Sequence, residues 1–141
     1  ICRNIELLLD YCMRFYERQF VTRKAANRDV LDKFEKLLNS YFTSDRALHD
    51  GLPSVKYFAE ECFLSPNYFG DLVKKETGKT PQDHIQSKII NLAKEELASS
   101  EDTINEISYH LGFQYSQHFN RYFKRNVGVT PSQFRKQMAE A

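Results

Sequence analysis

Apolar side chains recur along this chain at alternating spacings of three and four residues, which is the pattern of an amphipathic helix. The first stripe predicts a helix over 1–21. Its members are Ile1, Ile5, Leu8, Cys12 and Phe15, widened by Leu7, Tyr11 and Phe20. A polar and basic stretch, 22–28, predicts a short connection. The spacing then resumes and predicts a second helix over 29–42.

The stripe over 1–21 is wide, and so broad an apolar face needs a partner. Two interpretations stay open at this point. The face packs against the next helix or an upstream domain, or it packs against a second copy of itself in a homodimer. Because the chain begins with Ile1 rather than Met, we expect it to be part of a longer protein with an upstream domain.

The stretch 43–53 has the clearest loop composition, because it combines Ser, Asp, Gly51 and Pro53 within a few residues. We place a domain boundary there. Residues 1–50 would form a helical linker or dimerisation segment, and residues 52–141 would form a separate helical domain.

Capping residues mark the helices that follow. Ser54 can cap one helix, and Thr103 with Glu106 forms the capping-box pattern. Three further pairs place an N-cap hydroxyl directly before a proline, which is a strong helix start: Ser65-Pro66, Thr80-Pro81 and Thr130-Pro131. The predicted helices are 55–63, 66–76, 81–99, 104–111, 116–126 and 131–138. No stretch alternates like a strand, so the predicted fold is all-α.

This half of the chain contains the same helical unit twice, at an offset of 49 residues that becomes 50 after Ser65. Each unit has two short helices that must cross steeply, and the small Ala59 lets the second helix approach the first. The helix 81–99, roughly 27 Å long, joins the units. The pattern predicts a duplicated helix-turn-helix subdomain. Matched positions are Val55/Ile104, Phe58/Ile107, Ala59/Ser108, Cys62/Leu111, Phe69/Phe119, Val73/Phe123, Lys74/Lys124, Lys75/Arg125, Gly78/Gly128 and Thr80/Thr130.

Composition excludes several classes of protein. No run approaches the roughly 18 apolar residues of a membrane span, and no signal peptide is visible, so we expect no membrane partner. The scattered Cys2, Cys12 and Cys62 predict free thiols in a reducing cytosol, with Cys62 in the core. The histidines lack metal-ligand spacing and no nucleophile–base motif is present, so we expect no metal, no other cofactor and no enzyme activity.

The net charge is only +1, but its distribution is uneven. From Phe113 onward five Lys or Arg residues stand against one acid, Glu140. A local basic surface on a nearly neutral chain permits nucleic-acid binding.

A helix fits the major groove of B-DNA, where side chains of its first turns can contact base edges. In the second unit, Phe119 and Phe123 supply an apolar inner face. Arg pairs with guanine, and Gln or Asn with adenine. The candidates for base contact lie on one outer stripe: Ser116, Gln117, Asn120 and Arg121.

The corresponding stripe of the first unit offers Asn67, Gly70 and Asp71. Asp71 can accept a hydrogen bond from cytosine N4, and Gly70 permits a close approach. We therefore expect the second unit to contribute more base-specific energy. The candidates for phosphate contact are Ser65, Lys74, Lys75, Tyr115, Lys124 and Arg125.

The run GFQYSQHFNRYFKRNVGVTPSQFR and the earlier run LSPNYFGDLVKKETGKTPQDHI resemble the AraC/XylS family of bacterial transcription regulators. The resemblance covers about Leu52 to Met138. It implies a monomeric module that inserts two recognition helices into successive major-groove segments on one face of double-stranded DNA. It implicates the base-contact positions named above, although residues 70 and 71 depart from members with large basic or amide side chains there.

The resemblance also implies a setting. Family members often carry an upstream effector-binding domain, frequently a cupin barrel that dimerises, and 1–41 is similar to the helical segment that joins it. A bacterial cytoplasmic location at the nucleoid and RNA polymerase as a further partner are expected on the same ground.

Three hypotheses are thus in competition. The first is a sequence-specific DNA-binding transcription regulator. The second is a helical protein–protein interaction module that uses the amino-terminal helix. The third is a DNA-repair enzyme on this module, whose chemistry needs a reactive or zinc-bound cysteine cluster that the sequence lacks.

Overall fold

The computed structural model describes the backbone of residues 2–140 and the side chains of residues 23–140. No residue of this part lies in a strand, which confirms the predicted all-α fold. The helices are α1 (Cys2–Thr43), α2 (Arg46–Asp50), α3 (Val55–Glu61), α4 (Pro66–Thr77), α5 (Pro81–Ser99), α6 (Ile104–His110), α7 (Ser116–Val127) and α8 (Pro131–Glu140).

The connection predicted over 22–28 is wrong, because α1 continues through it without a break. The stretch has neither Pro nor Gly and consists largely of Arg, Lys and Ala, which favour helix. Its described side chains are nearly all exposed, so the apolar stripe is interrupted while the helix goes on. With 42 residues, α1 is about 63 Å long. The side chains of the stripe predicted over 1–21 lie outside the described residues.

The last part of α1 packs against the first helix-turn-helix unit. Its apolar side chains Phe34, Leu38 and Tyr41 are buried. The ring of Phe34 lies 5.1 Å from the ring of Phe58 and 5.2 Å from the ring of Phe69, measured between centroids. α1 therefore contributes to the core that holds the first recognition helix, α4.

The loop predicted over 43–53 contains a turn of helix, α2. The loop prediction is wrong there because a tertiary contact stabilises a helix that local composition does not favour. Ala47 in its centre is only 1% exposed. The helix ends at Gly51, whose backbone N–H donates to the carbonyl of Ala47 at 3.0 Å.

Both helices of the first unit begin at their predicted caps. The Ser54 hydroxyl accepts a hydrogen bond from the amide of Tyr57, and the Ser65 hydroxyl accepts one from the amide of Tyr68. Gly78, at φ 81°, ends α4 in the left-handed region. Glycine adopts this conformation without steric cost, which explains why α4 ends where it does.

The connecting helix α5 begins with a complete capping box formed by Thr80 and Asp83. Helices α4, α6, α7 and α8 all pack against α5, so it joins the two units. Its 19 residues span about 28 Å. At the box predicted for Thr103 and Glu106, the amide of Glu106 donates to the Thr103 hydroxyl.

The repeat seen in the sequence is also a repeat in space. Helices α6, α7 and α8 begin 49, 50 and 50 residues after α3, α4 and α5. The matched core positions are buried in both units: Phe58 and Ile107, Ala59 and Ser108, Cys62 and Leu111, Phe69 and Phe119, Val73 and Phe123. The same set of inward positions therefore orients both recognition helices.

Candidate nucleic-acid interface

The rotation of α7 about its axis is fixed by two phenylalanines. Phe119 and Phe123 are fully buried on the inner face of the helix. The first turns consequently present Gln117 and Arg121 to solvent, with Asn120 and Ser116 half-buried beside them. The structure thus places the four base-contact candidates of the second unit on one accessible stripe.

The side chains of this stripe have hydrogen-bond donors and acceptors that are free to bind a ligand. Within the described residues, the side chains of Gln117, Asn120 and Arg121 have no hydrogen-bond or ion-pair partner. Their amide and guanidinium groups are the donors that match purine edges in the major groove. A ligand would not have to break an internal bond to engage them.

The first unit presents a poorer set of donors. Asn67 and Asp71 are exposed on α4, with Gly70 between them. A Cβ atom placed on Gly70 would meet nothing within 4 Å, so packing inside the protein does not require glycine there. Gly70 instead leaves open space on the outer surface of α4.

Tyr68 is an accessible side chain of the first recognition helix that the site prediction did not include. It is 57% exposed although it is a large aromatic residue. It occupies the position that His118 has in α7, at the offset of 50 residues that relates the two helices. Because His118 is not a predicted contact residue either, the repeat provides no signal for Tyr68.

The phosphate-contact candidates are accessible as well. Lys74 and Lys75 lie in the last turn of α4, and Lys124 and Arg125 lie in the last turn of α7, all of them exposed. Cations in the last turn also stabilise the helix dipole. None of the four has an ion-pair partner among the described residues, so their charge is open to phosphate.

The two candidates that precede the recognition helices differ in their local role. The Ser65 hydroxyl caps α4, while its own proton remains available to a phosphate. Tyr115 occupies the N-cap position of α7 without a side-chain cap bond and is 57% exposed. Its ring lies against the ring of His118, with centroids 5.8 Å apart.

Contacts behind α7 hold it against the rest of the domain. Asn126 near its end accepts a hydrogen bond from the side chain of Gln86 on α5. Tyr122 is half-buried, and its buried hydroxyl oxygen has no hydrogen-bond partner in the part of the chain whose side chains are described. Burial raises the pKa of Tyr122 to about 12. The guanidinium of Arg135 on α8 donates to the carbonyls of Leu97 and Ser100 at the end of α5. The periodic pattern gives no signal for these long-range bonds.

The turns of the two units differ at equivalent positions. Phe63 is 88% exposed and has φ 58°, which is unusual for a bulky residue. The corresponding residue of the second unit is Gly112, at φ 101°. The ammonium of Lys33 lies 4.8 Å from the centre of the Phe63 ring. The sequence gives no indication that this aromatic residue would be outside the core.

Metal and membrane sites find no support in the part of the chain that is described. No group of three or more His, Cys, Asp or Glu side chains there is arranged to hold a metal ion. No described helix combines the length and the apolar character that a membrane crossing requires.

Comparisons with known proteins agree with this geometry. A family profile described as a helix-turn-helix domain matches residues 58–137. The uncharacterised HTH-type transcriptional regulator YobQ of Bacillus subtilis (strain 168) is 33% identical over 104 residues, which are 72% of this chain and 43% of that protein. The chain therefore spans less than half the length of this relative.

Two solved structures share the fold. A transcriptional regulator with an AraC-type DNA-binding domain from Chromobacterium violaceum has a TM-score of 0.66 at 21% identity, over 82% of this chain and 96% of that one. The DNA-binding domain of AdpA, solved in complex with a target DNA, has a TM-score of 0.63 at 19% identity, over 74% and 91%. The family profile, which matches more than half of the chain, and the two helix-turn-helix units show that the chain belongs to the AraC-type helix-turn-helix family.

Proposed function

We propose that this chain is the sequence-specific DNA-binding part of a transcription regulator. Recognition helices over about 66–76 and 116–126 would enter successive major-groove segments on one face of double-stranded DNA. The observation that carries the proposal is the stripe of Gln117, Asn120 and Arg121, whose side chains have no partner among the described residues. Two buried phenylalanines hold this stripe outward. The relative YobQ, a transcriptional regulator by name, supports it.

The two units would contribute differently. Gln117, Asn120 and Arg121 would contact bases, with Ser116 at the start of the stripe, and Lys124, Arg125 and Tyr115 would hold the phosphates. In the first unit, Asn67 and Asp71 offer fewer donors, and Gly70 offers none. The DNA phosphates would be bound in this unit by Lys74, Lys75 and Ser65. The first unit would therefore add more to the affinity than to the sequence preference.

The test is selection of binding sites from a random duplex library, repeated with Arg121→Ala. We expect a bipartite site whose halves lie about one helical turn apart. Arg121→Ala should weaken the free energy of DNA binding by about 1–3 kcal/mol and reduce the sequence preference at one base position. Arg28→Ala, an exposed arginine on α1, is the matched control and should leave the selected sequence unchanged. Absence of any enriched sequence at low salt would refute the proposal, because phosphate contacts are strongest there.

We also propose a division of labour along the chain, with 1–50 as a linker or dimerisation segment and 52–141 as the DNA-binding domain. This boundary would separate two roles and not two hydrophobic cores, because the end of α1 packs into the core of the first unit. The spacing of the stripe over 1–21 supports a homodimer through α1. Leu8→Glu would abolish dimers in sedimentation equilibrium while half-site binding persists. Dimers that survive the substitution would contradict this assignment.

The remaining partners follow from the family alone. An upstream effector-binding domain, RNA polymerase as a contact of the DNA-bound regulator, and a place in the bacterial cytoplasm at the nucleoid are proposals of this kind. Co-purification of RNA polymerase with the promoter-bound protein would test the second of them, with DNA lacking the selected site as the control.

A further inference from the structure

The backbone ahead of the first unit touches the turn of the second unit. A Cβ atom on Gly112 would lie 2.9 Å from the carbonyl carbon of Gly51 and 3.0 Å from the amide nitrogen of Leu52. Only glycine permits so close an approach, and φ 101° at this position favours glycine independently. Gly51 and Gly112 are 61 positions apart in the sequence.

The same Gly51 is held from the side of the first unit. The hydroxyl of Tyr41 donates to the Gly51 carbonyl at 2.6 Å, and Tyr41 is only 4% exposed. Its ring contacts the rings of Tyr57 and Phe58 on α3, with centroids 5.5 and 6.3 Å apart. Gly51 is thus bonded to a residue of the first core and lies against the second unit.

The residues 44–53, which we name the strap, form a second link between the units. The buried Ala47 anchors α2 within the strap, and α2 packs on α6 of the second unit. The first link is α5, against which both units pack. A single helix fixes a distance along its axis but resists rocking about its ends less well. A second link beside it restrains that motion.

We infer that Tyr41, Gly51 and Gly112 are positioning residues that set the spacing between the two recognition helices on DNA. The inference rests on the proposed function. Spacing matters because successive major-groove segments recur every 10–10.5 base pairs, or about 34–36 Å. Insertion of one base pair moves the second half-site by about 3.4 Å and turns it by about 35°. A protein held at two links cannot follow that shift.

The test compares the affinities for four duplexes. One carries the selected bipartite site, two carry it with one base pair added or removed between the halves, and one carries only the half bound by α7. The variants are Tyr41→Phe, which removes one hydrogen bond and keeps the ring, and Gly112→Ala. Tyr109→Phe, at a half-exposed tyrosine on α6, is the matched control. Circular dichroism establishes that each variant is folded.

We expect Tyr41→Phe to weaken binding to the selected site by up to about fivefold, because the lost hydrogen bond favours the arrangement of the two units that fits the site. The penalty for an altered spacing should shrink in this variant, and its affinity for the single half-site should not change. Gly112→Ala should act in the same direction, provided that it folds. Tyr109→Phe should match the wild type on all four duplexes.

Two results would overturn the inference. One is an unchanged spacing preference in Tyr41→Phe. The other is an equal loss on the half-site and the bipartite site, which would mean that Tyr41 only stabilises the fold. Failure of the wild-type protein to bind any duplex would instead refute the proposed function, so the two failures are distinguishable.

Discussion

The ring of Phe34 stacks on the ring of Phe69, with their centroids 5.2 Å apart and their planes inclined by 20°. Phe34 belongs to α1, and Phe69 is a fully buried residue on the inner face of the first recognition helix, α4. The long amino-terminal helix therefore forms one wall of the core that orients α4. A displacement of α1 would change the positions of Asn67 and Asp71 on α4, because close-packed cores transmit strain.

We expect Phe34→Ala to lower the free energy of unfolding by about 3–5 kcal/mol, the usual cost of removing a buried phenylalanine. Urea denaturation followed by circular dichroism measures the change. Lys36→Ala, at an exposed position on the same helix, should stay within about 0.5 kcal/mol of the wild type. A Phe34→Ala loss as small as that of the control would mean that α1 is not part of this core.

A small residue, Ala59, lies where α3 and α4 cross. Ala59 is fully buried, and its counterpart in the second unit is the fully buried Ser108. Ala59→Leu should overfill the crossing of α3 and α4 and destabilise the protein by about 1–3 kcal/mol. Thermal unfolding tests this, with the exposed Ala98→Leu on α5 as the control. An unchanged melting temperature for Ala59→Leu would contradict the tight crossing.

The basic pair at the end of α7 makes a prediction about salt. If Lys124 contacts phosphate, Lys124→Ala should reduce the slope of log affinity against log salt by about 0.9. The loss should be similar on selected and unselected DNA, because phosphate contacts carry no sequence information. Fluorescence anisotropy titrations at several salt concentrations measure both. The control Lys36→Ala should keep the wild-type slope, and a Lys124→Ala slope equal to it would remove Lys124 from the interface.

Glu96 on α5 predicts a dependence of stability on pH. Burial raises the pKa of its carboxyl group, with smaller contributions from Asp102 and Glu95, while His110 opposes the shift. One of its carboxyl oxygens is buried and has no hydrogen-bond partner among residues 23–140, whose side chains the structure describes. The folded protein therefore keeps this proton to a higher pH than the unfolded chain. Stability should fall as pH rises from the ordinary value of 4.5 through the raised pKa.

Glu96→Gln removes the charge and should stabilise the protein above this window, with the difference closing as pH falls below 4.5. Urea midpoints measured from acidic to neutral pH give the comparison. Glu35→Gln, at an exposed position on α1 and not among the charges that act on Glu96, should follow the wild-type curve. If the urea midpoints of Glu96→Gln and the wild type changed with pH in parallel, burial would not raise the pKa of the Glu96 carboxyl group.

Local signals in the sequence were sufficient for most of the helices and for the stripe on α7. Caps such as Ser54, Ser65 and Thr80 act on amides within three residues, so their effect is visible in a short window. The buried Phe119 and Phe123 follow from helical periodicity, and the periodicity also fixes which side chains face outward. Repetition at 49–50 residues then made a single weak motif into a specific pattern.

Only the tertiary structure decided how these elements meet. The helix α2 and the outward Phe63 depend on contacts rather than on local preference. The continuation of α1 through 22–28 follows instead from the helix propensity of its Arg, Lys and Ala residues. The approach of Gly51 to Gly112 joins residues that no periodic pattern relates. The sequence by itself determined where the two recognition helices lie and which of their side chains face outward, because capping and amphipathicity are short-range. The strap and the docking of α1 arise from long-range packing, which exists only once the chain has folded.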